Sequence, residues 1–121
     1  MTDITCVYFL SLEAANVDDF KKLIVDIVAA AKHEAGTLIY EYSASEDQRQ
    51  FHIVERYRAE AVLPHVELTF APFAERFLEL AKIEHLYVYG VVPRDIRDKL
   101  DGFNAVYMSP VAGFSKSFAV A

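Results

Sequence analysis

The chain has 121 residues, 54% of them hydrophobic, with nine Phe, seven Tyr and a formal net charge of −6. That is one domain, long enough to bury a core. An acidic balance with no Lys/Arg cluster argues against nucleic acid as a partner. Charge interrupts every apolar stretch before the roughly 18 to 20 residues of a membrane span. The N-terminus has neither a basic n-region nor a continuous apolar h-region, so no signal peptide is predicted. The single Cys6 precludes an internal disulfide and suits a reducing cytoplasm, and its strand setting predicts a buried small hydrophobe rather than a reactive thiol.

In chain order, Ile4–Leu12 reads as a strand with Ile4, Cys6, Tyr8 and Leu10 on one face and Val7 and Phe9 on the other, a pattern of burial on both sides. Asn16 is a candidate N-cap, with Asp18 and Asp19 in the first turn. Phe20, Leu23, Ile24, Ile27, Val28 and Ala31 then recur three and four apart, predicting an amphipathic helix capped near Gly36. Leu38–Ala44 and Phe51–Tyr57 are rich in aromatic and β-branched residues around a polar turn, and predict a hairpin. Helix resumes near Ala59. Pro72 forbids an unbroken helix, so a break is expected between Leu68 and a second segment over Ala71–Ala81. Ile83–Val92 is the last long strand, with Ile83, His85, Tyr87, Tyr89 and Val91 predicted on one face and Glu84, Leu86, Val88, Gly90 and Val92 on the other. A short helix over Asp95–Leu100, terminated by Gly102, follows.

Strand–helix–hairpin–helix–strand predicts an α+β, ferredoxin-like four-stranded antiparallel sheet with helices on one face. The uncovered face is also apolar, so a second copy packed sheet to sheet, a homodimer, is the expected cover.

Glu34-Ala35-Gly36-Thr37-Leu38-Ile39-Tyr40-Glu41 resembles the "EPGCLRYE" segment of the antibiotic biosynthesis monooxygenase family. Phe51-His52-Ile53-Val54-Glu55-Arg56-Tyr57 resembles its "FVLYERW" strand, and Ala59-Glu60-Ala61-Val62-Leu63-Pro64-His65-Val66 resembles its "DEAALDAHL" helix start. The resemblance implies a family-like domain over residues 1–92, pairing as a dimeric α/β barrel, and a C-terminal extension over 93–121 that packs on the dimer partner. It also implies a pocket between helices and sheet, where many members oxygenate phenols, quinols or polyketide-like aromatics with O2 and no cofactor.

Such chemistry needs a base, donors for an oxyanion and apolar walls. His65 matches the helix His common in the family, and imidazole is the side chain suited to proton transfer near neutral pH, which makes it the candidate base. Tyr57 stands where many relatives carry Trp, and is read as pocket wall, oxyanion donor or plain packing. Tyr40 and Tyr42 share a hairpin face and are not separable by pattern; Tyr40 is the alternative oxyanion donor. Phe70, Phe73 and Phe77 have core spacing, and Phe70 and Phe73 flank the Pro72 break, where a gap opens most easily. Arg56 is read as gripping an anionic group or pairing across the hairpin with Glu41.

His33, His52 and His85 make no metal-ligand spacing with His65, so no metal is expected. There is no Gly-rich phosphate loop and no Gly-x-Ser-x-Gly elbow. The haem-degrading branch of the resemblance is excluded, because the chain has no Trp and its first strand has no Asn. Two alternatives to oxygenation stay open: isomerisation or tautomerisation of a small metabolite in the same pocket, and a non-catalytic ligand-binding barrel.

Overall fold

The computed structural model describes residues 3–116. Its elements are β1 (Asp3–Ser11), α1 (Val17–Ala31), β2 (Thr37–Ala44), β3 (Gln50–Arg58), α2 (Ala71–Leu80), β4 (Lys82–Tyr89), α3 (Arg94–Leu100) and β5 (Val106–Met108). They form one α+β layer pair around a sheet of order β2-β3-β1-β4-β5. The first four strands are antiparallel, as expected. The fifth is a correction: β5 runs parallel to β4 at the sheet edge, and its three residues are too few to show an alternation in sequence.

β1 lies at the centre. Its Ile4, Cys6, Tyr8 and Leu10 face the helices together with Tyr57, Glu55, Ile53 and Phe51, their partners on β3. The opposite set, Thr5, Val7 and Phe9, is half-buried. A register shift between Phe9 and Leu10 on the β1–β4 pair corrects the β4 faces. Ile83 pairs with Leu10 and faces inward with Leu86 and Val88, whereas His85, Tyr87 and Tyr89 face out. A bulge inserts one residue, so strict alternation across it assigns one side of the strand wrongly.

α1 buries Phe20, Ile27 and Ala31 as the periodicity predicts. Two of its boundary signals resolve differently. Asn16 makes no capping bond; its side-chain amide donates instead to the Leu80 carbonyl at the end of α2, at 3.4 Å. Gly36 does not cap the helix, which ends five residues earlier at Ala31. Its lack of a side chain lets Ala61 approach, since a Cβ there would sit 2.6 Å from the Ala61 Cβ.

No break separates the helical segments after β3. The chain passes through a 3-10 turn at Ala59–Ala61, a single α turn at Val62–Pro64 and a π segment at His65–Phe70 before entering α2. Pro72 therefore falls in the first turn of α2. The wider π turn ahead of it relieves the clash its ring makes with an α-helical carbonyl. β4 stops at Tyr89, because Gly90 adopts φ 121° and its amide turns to the Met108 carbonyl at 3.2 Å. Beyond α3 the chain makes a 3-10 turn that ends at Asn104, in the left-handed region, rather than at Gly102.

Two apolar clusters fill the space between helices and sheet. One gathers Phe20, Ile27, Phe51, Ile53, Phe77 and Leu80. Phe20 is its hub, with edge-on ring contacts to Phe51 at 5.3 Å and Phe77 at 5.2 Å. The other gathers Ile4, Cys6, Tyr57, Val62, Leu86, Val88, Ile96 and Leu100. Through Ile96 and Leu100, α3 packs on its own chain's core. The last five residues of the expected extension lie outside the described residues.

Candidate functional site

Where the two clusters meet, Tyr8 packs against both and a cavity opens between sheet and π segment. Its interior volume is only about 30 Å³, room for a water molecule and far below the range of small-ligand sites, so the surrounding side chains nearly fill it. Its wall is mostly aromatic: Tyr8, Tyr40, Tyr42, Phe70, Phe77 and Phe103. Its polar groups are those phenols, Glu55 and His65.

The π segment swings His65 inward, where it is 4% exposed. Its Nδ1 lies 2.9 Å from Glu34 Oε1. Glu34 is itself held by two hydroxyls, Thr69 donating at 2.6 Å and Thr37 at 2.9 Å. A carboxylate at Nδ1 sets the tautomer with the proton on that nitrogen, which leaves the Nε2 lone pair as the basic one. The imidazole lies between the Tyr40 and Tyr57 rings, both with centroids at 5.2 Å, and near Phe70 at 6.3 Å. This is a histidine oriented by an acid inside an apolar box.

Of the residues singled out from sequence, His65, Tyr40, Tyr42 and Phe70 line the cavity. The Tyr40 and Tyr42 hydroxyls are 2.9 Å apart. One donates to the other, so the pair retains one phenolic hydrogen for a third group. Burial, with the negative charge of Glu55 next, pushes the Tyr40 phenol far above its ordinary range, and burial does the same to Tyr42. These phenols stay protonated and act as donors, not bases. Tyr57 lies under the cavity with 1% exposure, and its hydroxyl is engaged in donating to Glu55 Oε1 at 2.5 Å. Phe73 packs half-buried against the Phe20 cluster and is not part of the lining.

Arg56 is not brought to the cavity. It lies on the opposite face of β3 and pairs with Asp3 at 3.2 Å. Glu41, the partner read from sequence, stands opposite Val54 instead.

Three participants were missed in the sequence. Glu34 and Thr69 come from segments whose contact with His65 and with each other spans 31 and 35 positions, so no local pattern reveals them. Glu55 left a signal: it stands at the inward parity of β3, between Ile53 and Tyr57. It is 5% exposed, and burial drives its carboxyl up to about 8, opposed by the Tyr57 hydrogen bond and reinforced by the charge of Glu34. Cys6 is free and buried. Burial, with Glu55 second, raises its thiol far above the usual range, an unreactive setting. Among the described residues, no group of three His, Cys, Asp or Glu is placed to hold a metal ion. No helix among them is long and apolar enough to cross a membrane.

No protein-family model matches the sequence, and no curated protein matches it. Solved structures do match in shape. MupZ from Pseudomonas fluorescens superposes with a TM-score of 0.85 over 100% of both chains at 21% identity. SnoaB, a cofactor-independent oxygenase from Streptomyces nogalater, superposes with a TM-score of 0.64 over 78% of this chain and 95% of its own at 14% identity. Rv0793 from Mycobacterium tuberculosis gives 0.63 over 76% and 95% at 16% identity. At such identities the likeness is one of fold. The chain has the ferredoxin-like fold expected from its strand–helix–hairpin–helix–strand order, and SnoaB and MupZ share that fold.

Proposed function

We propose that the protein is a cofactor-independent monooxygenase of a small phenol, quinol or related polyketide-like aromatic. The observation that carries this reading is the Glu34–His65 pair buried in an aromatic-walled cavity. A substrate O–H or activated C–H proton passes to His65 Nε2 while Glu34 steadies the imidazolium. The Tyr40–Tyr42 pair offers its remaining hydrogen to the resulting oxyanion. The electron-rich anion then reduces O2. At an anthrone-type carbon, one oxygen atom becomes the new carbonyl oxygen and the other leaves as water with that carbon's two hydrogens. No cofactor is needed, because the substrate supplies the electrons. The SnoaB fold likeness supports this class of chemistry, and a ring enters only if the aromatic side chains around the cavity, now about 30 Å³, move apart.

The functional unit in this reading is a homodimer. The outward face of the sheet carries Val7, Phe9, Val54 and Tyr87 half-buried, and Ile39, Tyr89, Val106 and Met108 exposed. A partner sheet would cover this patch; of the extension expected over 93–121 to reach the partner, the part through β5 packs on its own chain, which leaves residues 109–116 as the described part proposed to reach across. A cytoplasmic setting suits the lone thiol.

Oxygen uptake with a hydroquinone or an anthrone tests the reaction. Wild type is expected to consume O2 with substrate, and His65→Ala to lose most of the rate while keeping its oligomeric state. Substrate conversion that persists without oxygen would instead favour an isomerase or tautomerase using the same base. A cavity that takes no such substrate would favour the non-catalytic barrel.

A further inference from the structure

The role of Glu55 is not explained by the chemistry above. It is a carboxyl on the inner face of β3 with no Lys or Arg lining its cavity: the groups around it are Cys6 and Tyr8 on β1, Tyr40 and Tyr42 on β2, Tyr57 on its own strand, and Glu34 and His65, already paired with each other, from the helix side. Tyr57 donates to Oε1 at 2.5 Å. Among the described residues Oε2 has no hydrogen-bond partner, yet no fully buried side-chain oxygen among them lacks one, so Oε2 is not fully buried and opens to the cavity that Glu55 helps to line.

We propose that Glu55 stands in the cavity wall as a neutral carboxylic acid, positioned by the Tyr57 hydroxyl, whose O–H at Oε2 donates a hydrogen bond to the oxygen of a bound phenol or enol. An ionised carboxylate at that point would repel the substrate oxyanion. A neutral acid next to a buried phenol donor is a known way of stabilising one. Burial without a counter-charge keeps the acid in that form up to about pH 8. This role rests on the reading of the cavity as a phenol site, but it makes no use of O2 and holds for oxygenation or tautomerisation alike.

The protonation half is testable with no substrate present. An acid whose folded value is raised holds a proton that the unfolded chain has already released. Its contribution to stability is therefore best at or below the ordinary Glu range, near 4.5, and declines until the pH passes about 8. Urea unfolding of wild type and Glu55→Gln from pH 5 to 9 should show the ratio of their folding constants changing by up to about tenfold per pH unit below 8 and levelling above it. A ratio constant with pH overturns the proposal. Should Glu55→Gln fail to fold, a carboxyl-carbon NMR titration of wild type reads the same ionisation: a midpoint near 8 is expected, and one near the ordinary 4.5 overturns the proposal.

The donor half is read by binding 4-nitrophenol. Glu55→Met should weaken binding roughly ten- to a hundredfold, and Glu55→Gln, whose amide still donates, by less. Equal affinity in wild type and Glu55→Met, or no binding to wild type, overturns it. Neither measurement depends on oxygen uptake, so the failure of one reading is distinguishable from the failure of the other.

Discussion

Glu55 and Arg56 are adjacent in sequence and lie on opposite faces of one strand. Arg56 faces outward, with its side chain 37% exposed, and pairs with Asp3 in partial contact with water. Glu55 faces inward, nearly fully buried, among phenols and without a cation. Water supports the outer charge, so its pairing matters little. Only the Tyr57 hydroxyl supports the inner one, and that is outweighed by burial, so the group takes up a proton instead of finding a counter-charge. The same contrast holds for the histidines. On the outer face His52 stacks on Phe9 at 4.2 Å and His85 meets it edge-on at 6.0 Å, whereas His65 is enclosed and fixed by an acid. Two faces of one sheet, a single residue apart, divide water-supported charge from enclosed charge.

The sharpest way to break this contrast is to remove the inner base. His65→Ala is expected to cost roughly 100- to 10,000-fold in rate, while removing His52 from the outer face should leave single-turnover chemistry intact; steady-state and rapid-quench assays on both variants compare them. Next in size is the packing beneath the cavity. Phe20 is 0% exposed, and Phe20→Ala should lose about 3–5 kcal/mol of unfolding free energy in urea.

Gly90→Ala probes the turn where β4 leaves the sheet. It forces a Cβ to 2.8 Å from the Asp3 carbonyl oxygen at φ 121°, and about 1–3 kcal/mol of destabilisation is expected by thermal unfolding. Tyr57→Phe removes the donor that holds the Glu55 carboxyl down. The carboxyl should titrate above its present value of about 8, at a cost of about 1–2 kcal/mol, and NMR of the carboxyl carbon reads the shift directly. Smallest is the outer pair: Arg56→Ala should change stability by no more than about 1 kcal/mol, and less in high salt.

Much of this arrangement was legible in the sequence. The α1 stripe and the hairpin were clear because long periodic segments average over local exceptions. The β4 faces were not, since a bulge breaks the very alternation used to read them. The passage around Pro72 was read as a gap because proline excludes a continuous α-helix, and a π segment is a less common way to satisfy the same constraint. At the site, His65, Tyr40, Tyr42 and Phe70 were identified and do converge. Arg56 was misjudged against its own parity: with Phe51, Ile53 and Tyr57 inward, it had to face out and Glu55 in. Glu34 could not be foreseen as the partner of His65, because only the π turn brings that ring to the loop after α1.

The reaction itself is tested most directly by running it with a hydroquinone or anthrone under isotopically labelled oxygen gas and weighing the product. One labelled atom is expected in the organic product and the other in water, with both signals lost in His65→Ala. Product formed without label, at an undiminished rate in that variant, would contradict a histidine-initiated oxygenation.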